Sequence, residues 1–223
     1  MTNLPTASKI VERLQRNANP KNVEGMQRYG IRGENILGVS LYEIREMAKG
    51  IHDHALALEL WKTGIHEAQL MASIVDIPGE TTREQLEDWV KDFDSWDVCD
   101  QVCTNLVDIS QHAFACIHDW AKRDEEFVRR AAFATLAGLA VHDKSLKDDE
   151  FEQFFELIAQ YCTDERNFVR KAVNWALRNI GKRNINLCRR AMEVAKQIDQ
   201  IDDKTAHWIA KDALRELKGK MEK

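Results

Sequence analysis

A chain of 223 residues is long enough to bury a substantial core, as one large domain or two small ones. At 44% apolar and 31% charged it has an ordinary soluble composition, and no apolar run approaches the roughly 18 residues of a membrane span. A formal charge of −5 excludes a uniformly basic nucleic-acid binder, but not a basic face on an acidic body.

Only 3 prolines and 10 glycines interrupt the chain, which leaves room for long helices. The 5 cysteines (99, 103, 116, 162 and 188) are an odd number without CxxC spacing. That pattern suits reduced thiols and argues against a zinc or disulfide framework. The start, Met-Thr-Asn-Leu-Pro-Thr, lacks the charged-then-apolar order of a signal peptide, so a cytoplasmic location is expected.

In chain order, Ser40 followed by Glu43 is a capping-box pattern that opens a helix, with Gly50 as its stop. His52 and His54 are two residues apart, which on a helix splays them by about 160°. No Cys or Glu joins them at ligand spacing, so no metal site is expected. A second apolar helix begins near Ile65. Thr81 and Glu84 repeat the capping signature after the turn at Pro78-Gly79.

The next helix opens with Ser-Trp-Asp-Val-Cys-Asp, residues 95–100. Ser95 reads as its N-cap, and Asp97 lies in the first turn, where the helix dipole favours a carboxylate. Val98, Cys99, Val102, Cys103 and Leu106 form the side to be buried. Asp100 projects away from most of that side. Trp96 precedes it by one turn, about 40° away around the helix, so the two stack on one face. A carboxylate beside an aromatic wall can hold a cation or stabilise positive charge developing in a transition state. The alternative is an Asp100 paired with a nearby Arg and a Trp96 in the core.

Two later segments repeat. Asp124-Glu-Glu-Phe-Val-Arg-Arg-Ala-Ala and Asp164-Glu-Arg-Asn-Phe-Val-Arg-Lys-Ala-Val align with a 41-residue offset between Phe127 and Phe168. Ile65 to Ser73 is a looser copy. Offsets near 40 with helical periodicity predict an all-α chain, a single domain over 1–223. Its predicted form is a curved right-handed solenoid of HEAT-like antiparallel helix pairs with a concave groove. In the second copy, Val169, Ala172, Val173, Ala176, Leu177 and Ile180 make one apolar stripe.

The opposite face of that helix carries Lys171, Trp175, Arg178 and Lys182 at i, i+4, i+7 and i+11. Cations flanking an indole suit a phosphate backbone with the ring against a sugar or base edge. Alternatively Trp175 tucks between helices and the cations are solvated. From Arg166 to Lys196 there are nine Lys or Arg against one acid, Glu193, a local +8 that leaves −13 elsewhere. Arg129-Arg130 occupies the repeat position of Arg170-Lys171, which predicts Arg130 and Lys171 on one wall with Asp100 a unit earlier. No GxSxG, HExxH, P-loop or dinucleotide fingerprint is present.

From about Pro20 to Leu217 the chain resembles the AlkD-like family of bacterial alkylpurine DNA glycosylases, which are built from HEAT-like repeats. The most specific parts are Ser-Trp-Asp-Val-Cys-Asp, Phe-Val-Arg-Arg-Ala-Ala and Ala-Val-Asn-Trp-Ala-Leu-Arg. Met26-Gln-Arg-Tyr29 and Leu37-Gly-Val-Ser40 are also similar to the family's N-terminal segment. The resemblance implies a catalytic carboxylate at Asp100 and DNA-packing tryptophans at Trp96 and Trp175. It further implies cationic groove residues at Arg130 and Arg178 and an aromatic at Tyr29; Lys171 and Lys182 join them as phosphate contacts.

The implied activity is release of cationic N3- or N7-alkylated purines from double-stranded DNA, without a base-flipping pocket. The enzyme would be a monofunctional, monomeric hydrolase that needs no cofactor or metal and touches no membrane. Three features depart from the pattern. Ser95 stands where the family carries a tryptophan, the segment after Tyr29 is shorter, and the overall charge is acidic. Two other readings follow from the residues: a non-catalytic HEAT-like binder of branched or damaged DNA, and a protein-interaction solenoid.

Overall fold

The computed structural model describes residues 5–33 and 35–221, without the side chain of Met221. Residues 1–4, which belong to the N-terminal signal reading, and Glu34, in the shortened segment after Tyr29, lie outside them. The chain packs as two compact units, Met1–His112 and Ala113–Lys223.

The first unit carries α1 (Ala7–Arg16), α2 (Pro20–Arg28), α3 (Leu41–Ala48), α4 (His54–Trp61), α5 (His66–Val75), α6 (Arg83–Lys91) and α7 (Trp96–Val102). A π-helical turn, Cys103–Val107, continues α7. The second carries α8 (Ala113–Ala121), α9 (Glu126–His142), α10 (Glu152–Tyr161), α11 (Asn167–Lys182), α12 (Ile185–Ile198) and α13 (Lys204–Met221). A 3-10 turn, Asp148–Phe151, leads into α10. There is no strand among the described residues, and no described helix is long and apolar enough to cross a membrane.

The helix boundaries follow local chemistry. Ser40 and Glu43 form the reciprocal capping box at the start of α3, and Gly50, at φ +76°, turns the chain beyond its end. At α6 the cap is one residue later than the sequence pattern suggests. Thr82 accepts from the Gln85 N–H, while the buried Thr81 donates its hydroxyl to the Ile77 carbonyl. Two adjacent threonines can each satisfy the cap in sequence; burial of the first decides between them.

Both units use one packing rule. Neighbours in the chain pair, as α4 with α5, α8 with α9, α10 with α11 and α12 with α13. Every second helix then packs on the next, α3 on α5 on α7, and α9 on α11 on α13. The apolar stripe of α11, from Val169 to Ile180, is completely buried by these neighbours. Side chains also stitch successive layers. In the second unit the Phe127 and Phe168 rings meet at 5.4 Å, tilted by 33°, and Asn179 Nδ2 donates to the Ala137 carbonyl 42 residues earlier, at 3.1 Å. In the first unit the equivalent links, Trp61 to Asp92 and His66 to Asp97, each span 31 residues. The period is shorter because the helices are: α5 and α7 have 10 and 7 residues, against 17 and 16 in α9 and α11.

Candidate nucleic-acid interface

In the first unit the candidate site is built on α7. Val98, Cys99 and Val102, with Cys103 and Leu106 of the π turn, are buried as the spacing requires. That burial leaves Trp96 and Asp100 half-buried, one turn apart on the other side of a short helix. The Trp96 indole N–H donates to the Tyr29 carbonyl at 3.1 Å. Tyr29 follows the last residue of α2, and its own ring is 76% exposed. One edge of the indole is therefore fixed by backbone, and an exposed phenol lies on the same strip of chain.

Beyond Asp100 the helix widens. The Thr104 hydroxyl donates to the Asp100 carbonyl at 2.7 Å, and the Asp108 N–H reaches back five residues to the Cys103 carbonyl at 3.0 Å. Such π turns recur at functional sites because they re-aim the side chains of the preceding turn.

Ser95 does occupy the N-cap position of α7, but it makes no cap hydrogen bond, contrary to the sequence reading. Its side chain is fully buried and its hydroxyl has no partner in the structure. The first turn is held instead by a tertiary bond: His66 Nε2 lies 2.9 Å from Asp97 Oδ2. Burial by itself would lower the His66 pKa; the hydrogen bond and charge of Asp97, helped by Glu67 and Asp94, outweigh it and raise the pKa above the usual histidine value. The adjacent Glu67, completely buried, accepts from the Leu37 and Gly38 N–H groups. Residues 66–67 thus tie the chain after Tyr29 to the start of α7.

In the second unit, α11 places Lys171 at the surface and Trp175 half-buried. The rest of the stripe is not the free row of cations that the sequence suggests. Arg178 and Lys182 each ion-pair with Glu216 of α13, one cation on each carboxylate oxygen. Arg178 also lies 3.7 Å from Asp212, which accepts from Asn174 Nδ2 at 2.6 Å. Burial would raise the Glu216 pKa, but Lys182 and Arg178 hold it below the ordinary carboxylate value.

Arg130 and Lys171 share a repeat position but not an environment. Arg130 is only 6% exposed and donates to the Phe168 carbonyl at 2.6 Å, with its guanidinium 5.9 Å from the Phe168 ring. It anchors the N-terminal turn of α11. His52 is exposed, and His54 Nδ1 lies 2.7 Å from Asp76 Oδ1. His66, Glu67 and Glu216 escaped the sequence reading. The last had a detectable signal: it follows Arg178 by 38 residues, the separation that also joins Arg130 to Phe168 and Asn174 to Asp212.

A solved protein described within "a new family of proteins related to the HEAT-like repeat DNA glycosylases with affinity for branched DNA structures" has the same fold, with a TM-score of 0.79. The match covers 95% of each chain at 18% identity, so the likeness is one of architecture: the all-helical, HEAT-like repeat fold. No curated protein matches the chain. The model of the DNA alkylation repair enzyme family matches residues 10–217, across the helices of both units, and the chain belongs to that family.

Proposed function

We propose that this member of the family is a DNA glycosylase that hydrolyses the N-glycosidic bond of purines alkylated at N3 or N7 in duplex DNA. The observation that carries the reading is the pairing of Trp96 and Asp100, one turn apart on the half-buried side of α7, with the indole edge held by the Tyr29 carbonyl. Alkylation leaves the purine cationic, so the base is already an activated leaving group. As the glycosidic bond breaks, its electron pair departs with the purine and positive charge moves onto the deoxyribose. Asp100 stabilises that charge and orients the water that adds to the sugar and loses a proton.

Neither a metal nor a cofactor has a role in this chemistry. No lysine acts as a Schiff-base nucleophile, so the strand is left uncut. Tyr29, Trp96 and Trp175 pack against the sugar–phosphate chain, and Lys171, Arg178 and Lys182 hold phosphates as a monomer binds. Arg130 serves by fixing the start of α11. The test separates chemistry from binding. Asp100→Asn should slow base release far more than it weakens duplex affinity, and Arg178→Ala should chiefly lower affinity and its salt dependence. Equal loss of release and affinity in Asp100→Asn would refute the role given to the carboxylate.

One observation favours a second reading. Where the glycosylase pattern carries a tryptophan, Ser95 is small and fully buried, so this site has one aromatic fewer for a lesion. The similar solved protein is described by its affinity for branched DNA. A chain of that kind would bind a four-way junction tightly and release no base.

A further inference from the structure

Two cations of α11, Arg178 and Lys182, arrive already neutralised. Glu216 takes Arg178 on one oxygen and Lys182 on the other, and Asp212 lies 3.7 Å from the same Arg178 nitrogen. This is the arrangement in which a phosphodiester would bind: two anionic oxygens bridging a guanidinium and an ammonium one turn apart. The carboxylate is about one-third exposed, so an incoming anion can reach and replace it.

We propose that Glu216 is a built-in stand-in for a DNA phosphate, and that phosphate binding at Arg178 and Lys182 is an exchange in which Glu216 is displaced. The inference rests on the reading of α11 as a DNA-contacting face and specifies how that face is regulated. Its consequence is a threshold. An isolated phosphate must compete with a tethered carboxylate at high effective concentration. A duplex that simultaneously reaches Lys171 and the Trp175 ring gains enough to complete the exchange. Asp212, held by Asn174 and Arg215, stays in place and keeps Arg178 oriented during it.

The exchange predicts a gain of affinity on removing Glu216, whereas a carboxylate that only positions the two cations predicts a loss. The experiment is fluorescence-anisotropy titration of a labelled 20-bp duplex against wild type, Glu216→Gln, Glu193→Gln and Arg178→Ala, at several salt concentrations. Glu193→Gln removes the same charge from an ion pair on α12, with Arg190, that leaves α11 untouched. Thermal melting of each variant checks that it is folded.

Glu216→Gln should bind about fivefold to tenfold more tightly near 0.1 M salt, because the tethered competitor is gone while the phosphate contacts stay the same. Glu193→Gln should change affinity by less than about twofold. Weaker binding by Glu216→Gln would assign it a positioning role and overturn the exchange. A gain no larger than that of Glu193→Gln would reduce it to bulk charge and also overturn it. Failure of the underlying DNA reading looks different: wild type, Glu216→Gln and Arg178→Ala would then all lack salt-sensitive duplex binding.

Discussion

Gly38→Ala tests whether the chain around Tyr29 is built as tightly as its bonds suggest. Gly38 has φ +79°, a conformation L-residues reach at a penalty of about 1–2 kcal/mol. A Cβ added there would lie 2.2 Å from the Asn19 carbonyl oxygen and 3.0 Å from Val23 Cγ2. The first contact is with backbone, so it cannot be relieved by a rotamer change. Overpacking of this kind costs about 1–3 kcal/mol more. The sum, about 2–5 kcal/mol, corresponds to a fall in Tm of roughly 4–20 °C for a chain of this size.

Gly50→Ala is the matched control. Gly50 has φ +76°, but nothing lies within 4 Å of its Cβ position, so only the conformational penalty applies and Tm should fall by about 2–8 °C, less than in Gly38→Ala. The displacement should also reach the candidate site. Asn19 caps α2, Asn22 donates to the Gly38 carbonyl at 2.9 Å, and the residue just past α2, Tyr29, supplies the carbonyl that holds Trp96. Differential scanning calorimetry of both variants, followed by base-release assays at a temperature where both are folded, measures the two effects. Equal melting of Gly38→Ala and Gly50→Ala would refute the steric part of the argument.

Other substitutions probe the remaining links. His66 has its pKa raised in the fold, so its bond to Asp97 stabilises fully below the ordinary histidine value and loses that contribution as pH rises through the folded pKa. The Tm difference between wild type and His66→Gln should therefore be largest near pH 5.5 and shrink toward pH 9; a difference that grows with pH contradicts the pairing. Trp96→Phe keeps a ring but removes the N–H that reaches Tyr29, and should lower stability in urea melts by about 1 kcal/mol. Arg130→Met removes a charged donor from the Phe168 carbonyl and should destabilise by about 1.5–3 kcal/mol while leaving the salt slope of duplex binding unchanged. A flattened slope would show instead that Arg130 touches phosphate.

Much of the architecture was legible because it is written in local periodicity. The stripe from Val169 to Ile180 could face only a core, and the 41-residue echo of Phe127 in Phe168 is the spacing at which the two rings now meet. Trp96 and Asp100 could be placed together because one helical turn relates them. What escaped was tertiary. The charge of α11 was read along one helix, whereas its counterions sit on α13, 38 residues beyond Arg178. Arg130 and Lys171 have equal repeat positions, but the side chain of the first is drawn inward by a carbonyl of the next repeat. The N-cap at Ser95 failed for a related reason: the start of α7 is held through Asp97 by a histidine from α5, and burial of Ser95 leaves its hydroxyl without a cap bond.

The proposed function assigns base excision to Asp100. The most direct measurement is release of free purine from methylated duplex DNA by wild type and by Asp100→Asn, with duplex affinity recorded in parallel. Wild type should liberate 3-methyladenine or 7-methylguanine, while Asp100→Asn should bind the duplex nearly as well and release far less. Release of no base by either protein, with binding to duplex or junction DNA intact, would contradict that assignment.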